Sequence, residues 1–237
     1  MSDGSWRRVD EQALRVEMAA IARRTYEAGF VVATNGNLSG RLGESTLLIS
    51  PSGSCKGELS PEDFVRIDTT GHLRDGRPGD PPSSETLMHL AIYEERSDVH
   101  AILHAHPPIT VGFSVAGESL AGCVIPEVVV GLGTIPTIEY TTPTTRETAE
   151  AVRGMIRRRD ALILERHGTV TVGSSITDAF RKLEKVEHAA HVTLVAKQVG
   201  KVRALPPEEV ERLLEIRQRL GLPPVIPSCN DCGLGCM

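Results

Sequence analysis

The chain has 237 residues, 40% of them hydrophobic and only 3% aromatic, with a formal charge of -5. That is enough apolar material for a substantial core and suits one large α/β domain or two small ones. The scarcity of aromatics and the lack of a basic stripe argue against nucleic acid or an anionic membrane surface as the main partner.

No apolar run approaches the roughly 20 residues a bilayer span requires. Met1 to Arg8 carries no apolar signal-peptide core, so a cytosolic location is expected. Cys55 and Cys123 stand alone, while Cys229, Cys232 and Cys236 crowd the C-terminus. An odd total of five without a signal peptide does not read as a disulfide framework.

Taken in chain order, residues 10–28 carry Leu14, Met18 and Ile21 at helical spacing, and a helix is expected there, ending near Gly29. Phe30 to Gly40 reads as a loop entering a strand. Leu47 to Ser50 reads as a short strand that ends in Pro51-Ser52-Gly53. Ser60-Pro61 opens a single helical turn, Val65 to Asp68 is a strand, and Gly71 to Gly79 is a turn-rich connection.

A second helix opens at Ser83-Ser84-Glu85 and runs to about Arg96. The apolar run from Val99 closes in His104-Ala105-His106, and Pro108 to Val115 is helical. Residues 122–140 read as strands and loops. Thr145 to Arg159 is a helix, Ala161 to Leu164 a strand, His167-Gly168 a turn, Thr169 to Gly173 a strand. Asp178 to about Gly200 and Pro206 to Leu220 are the last two helices. This alternation predicts one layered α/β domain over residues 1–225, with 226–237 a cysteine-rich tail.

Three features carry chemistry. Side chains at i and i+2 of a strand share a face, so His104 and His106 can share a metal, with His167 from a second strand end completing a set of three. Three imidazoles with a fourth position open make the ligand set of a catalytic zinc. Ser83-Ser84-Glu85 at a helix N-terminus offers hydroxyls, free amides and the positive dipole end, which suits phosphate; a plain serine cap gives the same pattern. Glu85 reads either as favourable helix-end charge or as a general acid/base beside the metal. The glycines in Asn35-Gly36-Asn37 and Ser52-Gly53 would let backbone amides approach an anion closely.

His188 and His191 share a helix face beside Glu187 and read as surface or interface residues. His72 is expected to be solvated, His89 and His100 to be packing residues, and Tyr26 and Tyr93 to be half-buried. Cys229, Cys232 and Cys236 form C-x2-C-x3-C, one thiolate short of a complete four-cysteine metal site. A metal completed from elsewhere, a redox pair and a loose tail remain open for them.

Thr34-Asn35-Gly36-Asn37-Leu38-Ser39, Ser50-Pro51-Ser52-Gly53, Pro82-Ser83-Ser84-Glu85, His104-Ala105-His106, Ile135 to Tyr140 and His167-Gly168 occur in that order. Over about residues 10–220 the chain resembles the class II aldolase/adducin family, its sugar-phosphate aldolases above all. The resemblance implies an α/β subunit with a central, largely antiparallel sheet flanked by helices, assembled as a homotetramer with sites between subunits. It implies Zn2+, or another divalent metal such as Mn2+ or Co2+, on His104, His106 and His167.

By the same resemblance Glu85 is a proton shuttle, Tyr140 enters the site of the adjacent subunit, and Asn37, Ser52, Gly53, Ser83 and Ser84 bind the substrate phosphate. The implied reaction is cleavage of a ketose 1-phosphate, such as L-fuculose 1-phosphate or a 5-deoxypentulose or methylthioribulose 1-phosphate, to dihydroxyacetone phosphate and an aldehyde. Epimerase, dehydratase, decarboxylase and a non-catalytic scaffold are the alternatives. Epimerases of the family usually carry Asp at the place of Glu85, and the scaffold members have lost metal ligands.

Overall fold

The structure is a computed structural model that describes residues 9–76 and 80–223. The tail containing Cys229, Cys232 and Cys236 lies outside the described residues.

An eight-stranded sheet organises the chain: β1 (Asn37–Arg41), β2 (Thr46–Ile49), β3 (Val65–Asp68), β4 (Leu73–Asp75), β5 (Ala101–Ala105), β6 (Thr137–Ile138), β7 (Ala161–Leu164) and β8 (Gly168–Gly173), in the order β4-β3-β2-β1-β5-β8-β7-β6. Every pairing is antiparallel except β6 with β7. The helices are α1 (Glu11–Glu27), α2 (Thr86–Glu95), α3 (Pro108–Val115), α4 (Pro126–Gly131), α5 (Arg146–Ile156), α6 (Ile176–Val199) and α7 (Pro207–Arg219). The expected largely antiparallel sheet flanked by helices is the architecture found.

Alternation along the strands explains the layering. Leu38, Leu103 and Ala105 join Leu14, Met18, Phe180 and Leu183 of α1 and α6 in one buried cluster. Ile102, Val170 and Val172 face the other way, onto Met88 and Ile92 of α2 and Val152 and Ile156 of α5. Both faces of the sheet are covered, so central strands such as β5 and β8 are buried along their whole length.

Caps set the helix ends. Asp10 accepts hydrogen bonds from the Gln12 and Ala13 amides, Thr145 from Thr148, and Ser175 from Asp178.

Several elements differ from expectation. Within 122–140, read as strands and loops, residues Pro126–Gly131 form a helix. Three consecutive β-branched valines favour a strand locally, but Val128 helps build a third apolar cluster with Phe113, Leu132 and Val186, and that packing overrides propensity. The Gly71–Gly79 connection contains the exposed edge strand β4. The helix expected from Ser83 begins at Thr86, leaving Glu85 as its cap residue. Tyr93 is buried rather than half-buried, and Tyr26 is exposed. No helix among the described residues is long and apolar enough to cross a membrane.

Candidate metal centre

His104 lies in β5 with its side chain on the α2 side of the sheet, His106 just beyond the strand's end, and His167 in the turn between β7 and β8. Their ring centroids are 4.7–5.0 Å apart, and their metal-ligating atoms all lie within 4.8 Å of one another.

Two backbone features make this convergence possible. Arg166 has φ 58°, a left-handed conformation that turns the chain at the end of β7, immediately before His167. Gly168 follows, where a Cβ would collide with the Ala105 carbonyl and lie 2.7 Å from His106 Cδ2, so only glycine lets β8 begin against the ligand strand.

The ring orientation of His104 follows from its partner. The Thr169 carbonyl can only accept, so His104 Nδ1 donates to it at 2.9 Å and Nε2 is the atom turned toward the cluster. His104 Nε2 is 2.9 Å from His106 Nε2 and 3.1 Å from Glu85 Oε2, while His167 Nε2 is 3.6 Å from Glu85 Oε1.

Burial drives His106 down to about 3 and His167 down to about 4, with the charge of His104 adding to both, so each is neutral at pH 7. Burial pushes Glu85 up, but the charge and hydrogen bond of His104, the charge of His167 and the Asn37 amide outweigh it and hold the carboxylate well below the usual range. Burial alone would lower His104; Glu85 reverses that and raises it.

These residues fit a divalent cation. Imidazole nitrogens converge on one point with a carboxylate beside them, and Glu85 Oε1 is buried without a hydrogen-bond partner. No cysteine belongs to the set, and nitrogen ligands with a carboxylate nearby suit Zn2+.

Asn37 stands directly across from His104 in the β1–β5 pairing. It donates to Glu85 Oε2 at 2.8 Å and faces His89 Nε2 through its carbonyl oxygen at 2.6 Å. Asn37 and Ser83 are buried, whereas Ser52, Gly53 and Ser84 are exposed. The Ser52 amide donates to the Pro81 carbonyl and the Ser83 amide to the Ser50 carbonyl, so the 50–53 and 81–84 loops run side by side. Ser83 Oγ accepts from the Glu85 amide at 3.3 Å. The structure thus brings Asn37 and Glu85 together at the histidine cluster, with Ser83 bonded to the Glu85 amide and the 50–53 loop alongside the 81–84 loop. Tyr140 is 55% exposed, and its amide donates to Glu165.

Two residues here escaped the sequence reading. Lys56 is buried, and its ammonium donates to the Thr34 and Ser54 carbonyls, tying the glycine-bearing loop before β1 to the loop after β2. Burial lowers its pKa to about 8. A single lysine six residues downstream of Ser50-Pro51 gives no periodic signal. His89, expected to be a packing residue, is fully buried but hydrogen-bonded at both ring nitrogens. Its signal was present: Glu85, His89 and Tyr93 are spaced by four, the repeat of one helix face.

Other expectations resolve simply. His188 and His191 are exposed on α6. Glu187 instead accepts from the Ile109 and Thr110 amides and the Thr110 hydroxyl, capping α3 immediately after His106. His72 is exposed and pairs with Thr70.

The family model described as "Class II Aldolase and Adducin N-terminal domain" matches residues 16–194. The chain is 31% identical over 189 residues to a 3-oxo-tetronate 4-phosphate decarboxylase of Escherichia coli O6:H1, covering 78% of this chain and 88% of that one. It is 34% identical over 185 residues to an L-fuculose phosphate aldolase of Methanococcus vannielii, covering 78% and 98%. A solved structure of L-fuculose 1-phosphate aldolase is 29% identical and superposes with a TM-score of 0.79, covering 87% of this chain and 96% of that one. With its sheet, its clustered histidines and these likenesses, the chain belongs to the class II aldolase and adducin family.

Proposed function

We propose that this chain is a zinc-dependent lyase that breaks the C3–C4 bond of a phosphorylated 2-ketose, in the first instance a ketose 1-phosphate, releasing dihydroxyacetone phosphate and an aldehyde. The observation that carries the reading is the convergence of His104, His106 and His167 beside an ionised Glu85 with one oxygen unpartnered.

His104, His106 and His167 would hold the metal. A divalent cation there supplies Lewis-acid stabilisation for the negative charge that develops on the ketone oxygen when the bond breaks. Glu85 is the group placed to take up a proton, released by the aldehyde-side hydroxyl or drawn from solvent, and pass it to the carbon left behind, through Oε1, because Oε2 is already held by Asn37.

The loops of Ser52, Gly53, Ser83 and Ser84, with Asn37, would bind the phosphate, and the buried Lys56 ammonium between neighbouring loops adds a fixed positive charge. Holding the non-reacting end converts binding energy into orientation. The aldehyde-side hydroxyl must lose its proton as the bond breaks. Tyr140 is the candidate base, and its exposure fits a residue serving a neighbouring copy in a homotetramer, so a single chain does not complete the site.

Decarboxylation is the second reading, favoured by the likeness to 3-oxo-tetronate 4-phosphate decarboxylases. Loss of CO2 from a 3-oxo acid 4-phosphate of four carbons leaves the same three-carbon phosphate skeleton. It needs the metal and Glu85 but no base at a departing hydroxyl.

The test is turnover of zinc-loaded protein on ketose 1-phosphates and on a 3-oxo-tetronate 4-phosphate, with a chelated control. Both reactions yield dihydroxyacetone phosphate, so the co-product is measured. Chelator-sensitive aldehyde supports the aldolase and CO2 the decarboxylase; zinc-loaded protein producing neither overturns the lyase reading.

A further inference from the structure

Strand β1 points three polar side chains, Asn37, Ser39 and Arg41, toward α2, and all three are buried. Helix α2 answers with Glu85 at its cap and His89 and Tyr93 four and eight residues on, all buried. Two residues of strand advance about 6.6 Å and four residues of helix about 6 Å, so the two polar rows stay in step. Asn37 meets Glu85 and His89 at 2.8 and 2.6 Å, Ser39 meets His89 and Tyr93 at 2.6 and 2.9 Å, and Arg41 donates to the Tyr93 carbonyl at 3.0 Å while its guanidinium lies 4.6 Å over the Tyr93 ring.

The proton positions along this ladder follow from what each atom can do. Asn37 turns its NH2 to Glu85 Oε2 and its carbonyl oxygen to His89 Nε2. That carbonyl only accepts, so His89 must carry its proton on Nε2. His89 Nδ1 is then an acceptor, so the Ser39 hydroxyl donates to it and in turn accepts from Tyr93. Each donor meets one acceptor from Tyr93 to Glu85, and reversing Asn37 or His89 would set acceptor against acceptor in a buried site.

We propose that His89 is a positioning residue for Glu85: through its Nε2 proton it locks the Asn37 amide, which holds Glu85 Oε2 and leaves Oε1 as the oxygen free to carry a proton. The kinetic consequence rests on the lyase reading above; the ladder itself does not. Glutamine at position 89 can place an amide NH2 where Nε2 stands, whereas leucine fills similar space without a donor.

The experiment uses the zinc-loaded full chain and has two arms. Long-range 15N–13C NMR of the imidazoles reads the tautomer, and His89 is assigned by its absence in His89→Gln. Steady-state kinetics and zinc content are measured for His89→Leu, His89→Gln and Ser39→Ala. A proton on Nε2 of His89, a fall in kcat of about tenfold or more in His89→Leu with KM and zinc content within about twofold, and recovery in His89→Gln are expected.

A proton on Nδ1, or wild-type kcat in His89→Leu, overturns the proposal. Should His89→Leu fail to fold, Ser39→Ala decides: it frees Nδ1, and its kcat must fall by severalfold, an unchanged kcat counting against the ladder. Should the wild-type protein turn over no sugar phosphate, the lyase reading fails, and the tautomer still decides the ladder by itself.

Discussion

Asn37 and His104 face one another across the β1–β5 pairing, and both reach the same oxygen, Glu85 Oε2, at 2.8 and 3.1 Å. The carboxylate is therefore held from the sheet at one oxygen, while the other stays open toward the histidine cluster. One strand register thus sets the metal ligand and the orientation of the proposed proton carrier together.

His106→Ala removes one imidazole of the cluster while leaving the β5 core intact. Zinc per chain should fall below stoichiometric, and activity should drop by about a thousandfold, as expected when roughly 4 kcal/mol of electrostatic stabilisation is lost. The circular dichroism spectrum should match that of the parent. Metal analysis with turnover checks this, and stoichiometric zinc in the variant would remove His106 from the ligand set.

Tyr140→Phe separates the two proposed reactions. If Tyr140 takes the hydroxyl proton, aldehyde release should fall by about 10²–10⁴-fold, while CO2 release from a 3-oxo acid phosphate should stay within about threefold. Zinc content should not move. Equal rates of aldehyde release in variant and parent would show that the base lies elsewhere.

Lys56→Met keeps the aliphatic stem and deletes a buried charge. KM for a phosphorylated substrate and the inhibition constant of inorganic phosphate should both rise, by about tenfold, with kcat within about threefold. A rise in neither would confine Lys56 to bridging the Thr34 and Ser54 carbonyls.

Gly36→Ala places a methyl group 2.6 Å from Val31 Cγ1 and 2.8 Å from the His104 carbonyl, at a residue with φ +72°. Overpacking and left-handed strain together should cost about 2–4 kcal/mol. Denaturant unfolding of the metal-free protein measures this; a shift below about 0.5 kcal/mol would mean that the loop relaxes freely.

His89 makes stability depend on acidity. Burial lowers it from 6.5 to about 3, so below pH 6.5 the unfolded chain binds a proton that the folded one refuses. Stability from this residue is complete above pH 6.5 and is lost as pH falls toward about 3, at about 1.4 kcal/mol per unit. Between pH 6.5 and 5 the metal-free parent should therefore lose about 2 kcal/mol more than His89→Gln. Parallel losses in the two proteins would contradict a neutral, buried His89.

Much of the arrangement is legible locally. Val99 to His106 reads as a buried strand ending in ligands because apolar side chains and paired histidines at i and i+2 are properties of one short segment. The α1, α3 and β7 boundaries follow from caps, proline and period for the same reason, while α5 starts after its Thr145 cap as expected but ends at Ile156, three residues short of Arg159. Tertiary packing decided the rest. It made Pro126–Gly131 a helix against valine propensity, since the Val128 contacts with Phe113 and Val186 come from distant segments. It buried Lys56 between two loops and made Glu187 of α6 the cap of α3.

The sequence by itself determined which side chains could bind a metal and which elements carry them. That Asn37 would meet Glu85 and His89 was decided only when β1 and α2, about fifty residues apart, packed face to face. A hydrogen bond between segments that far apart leaves no period in either one.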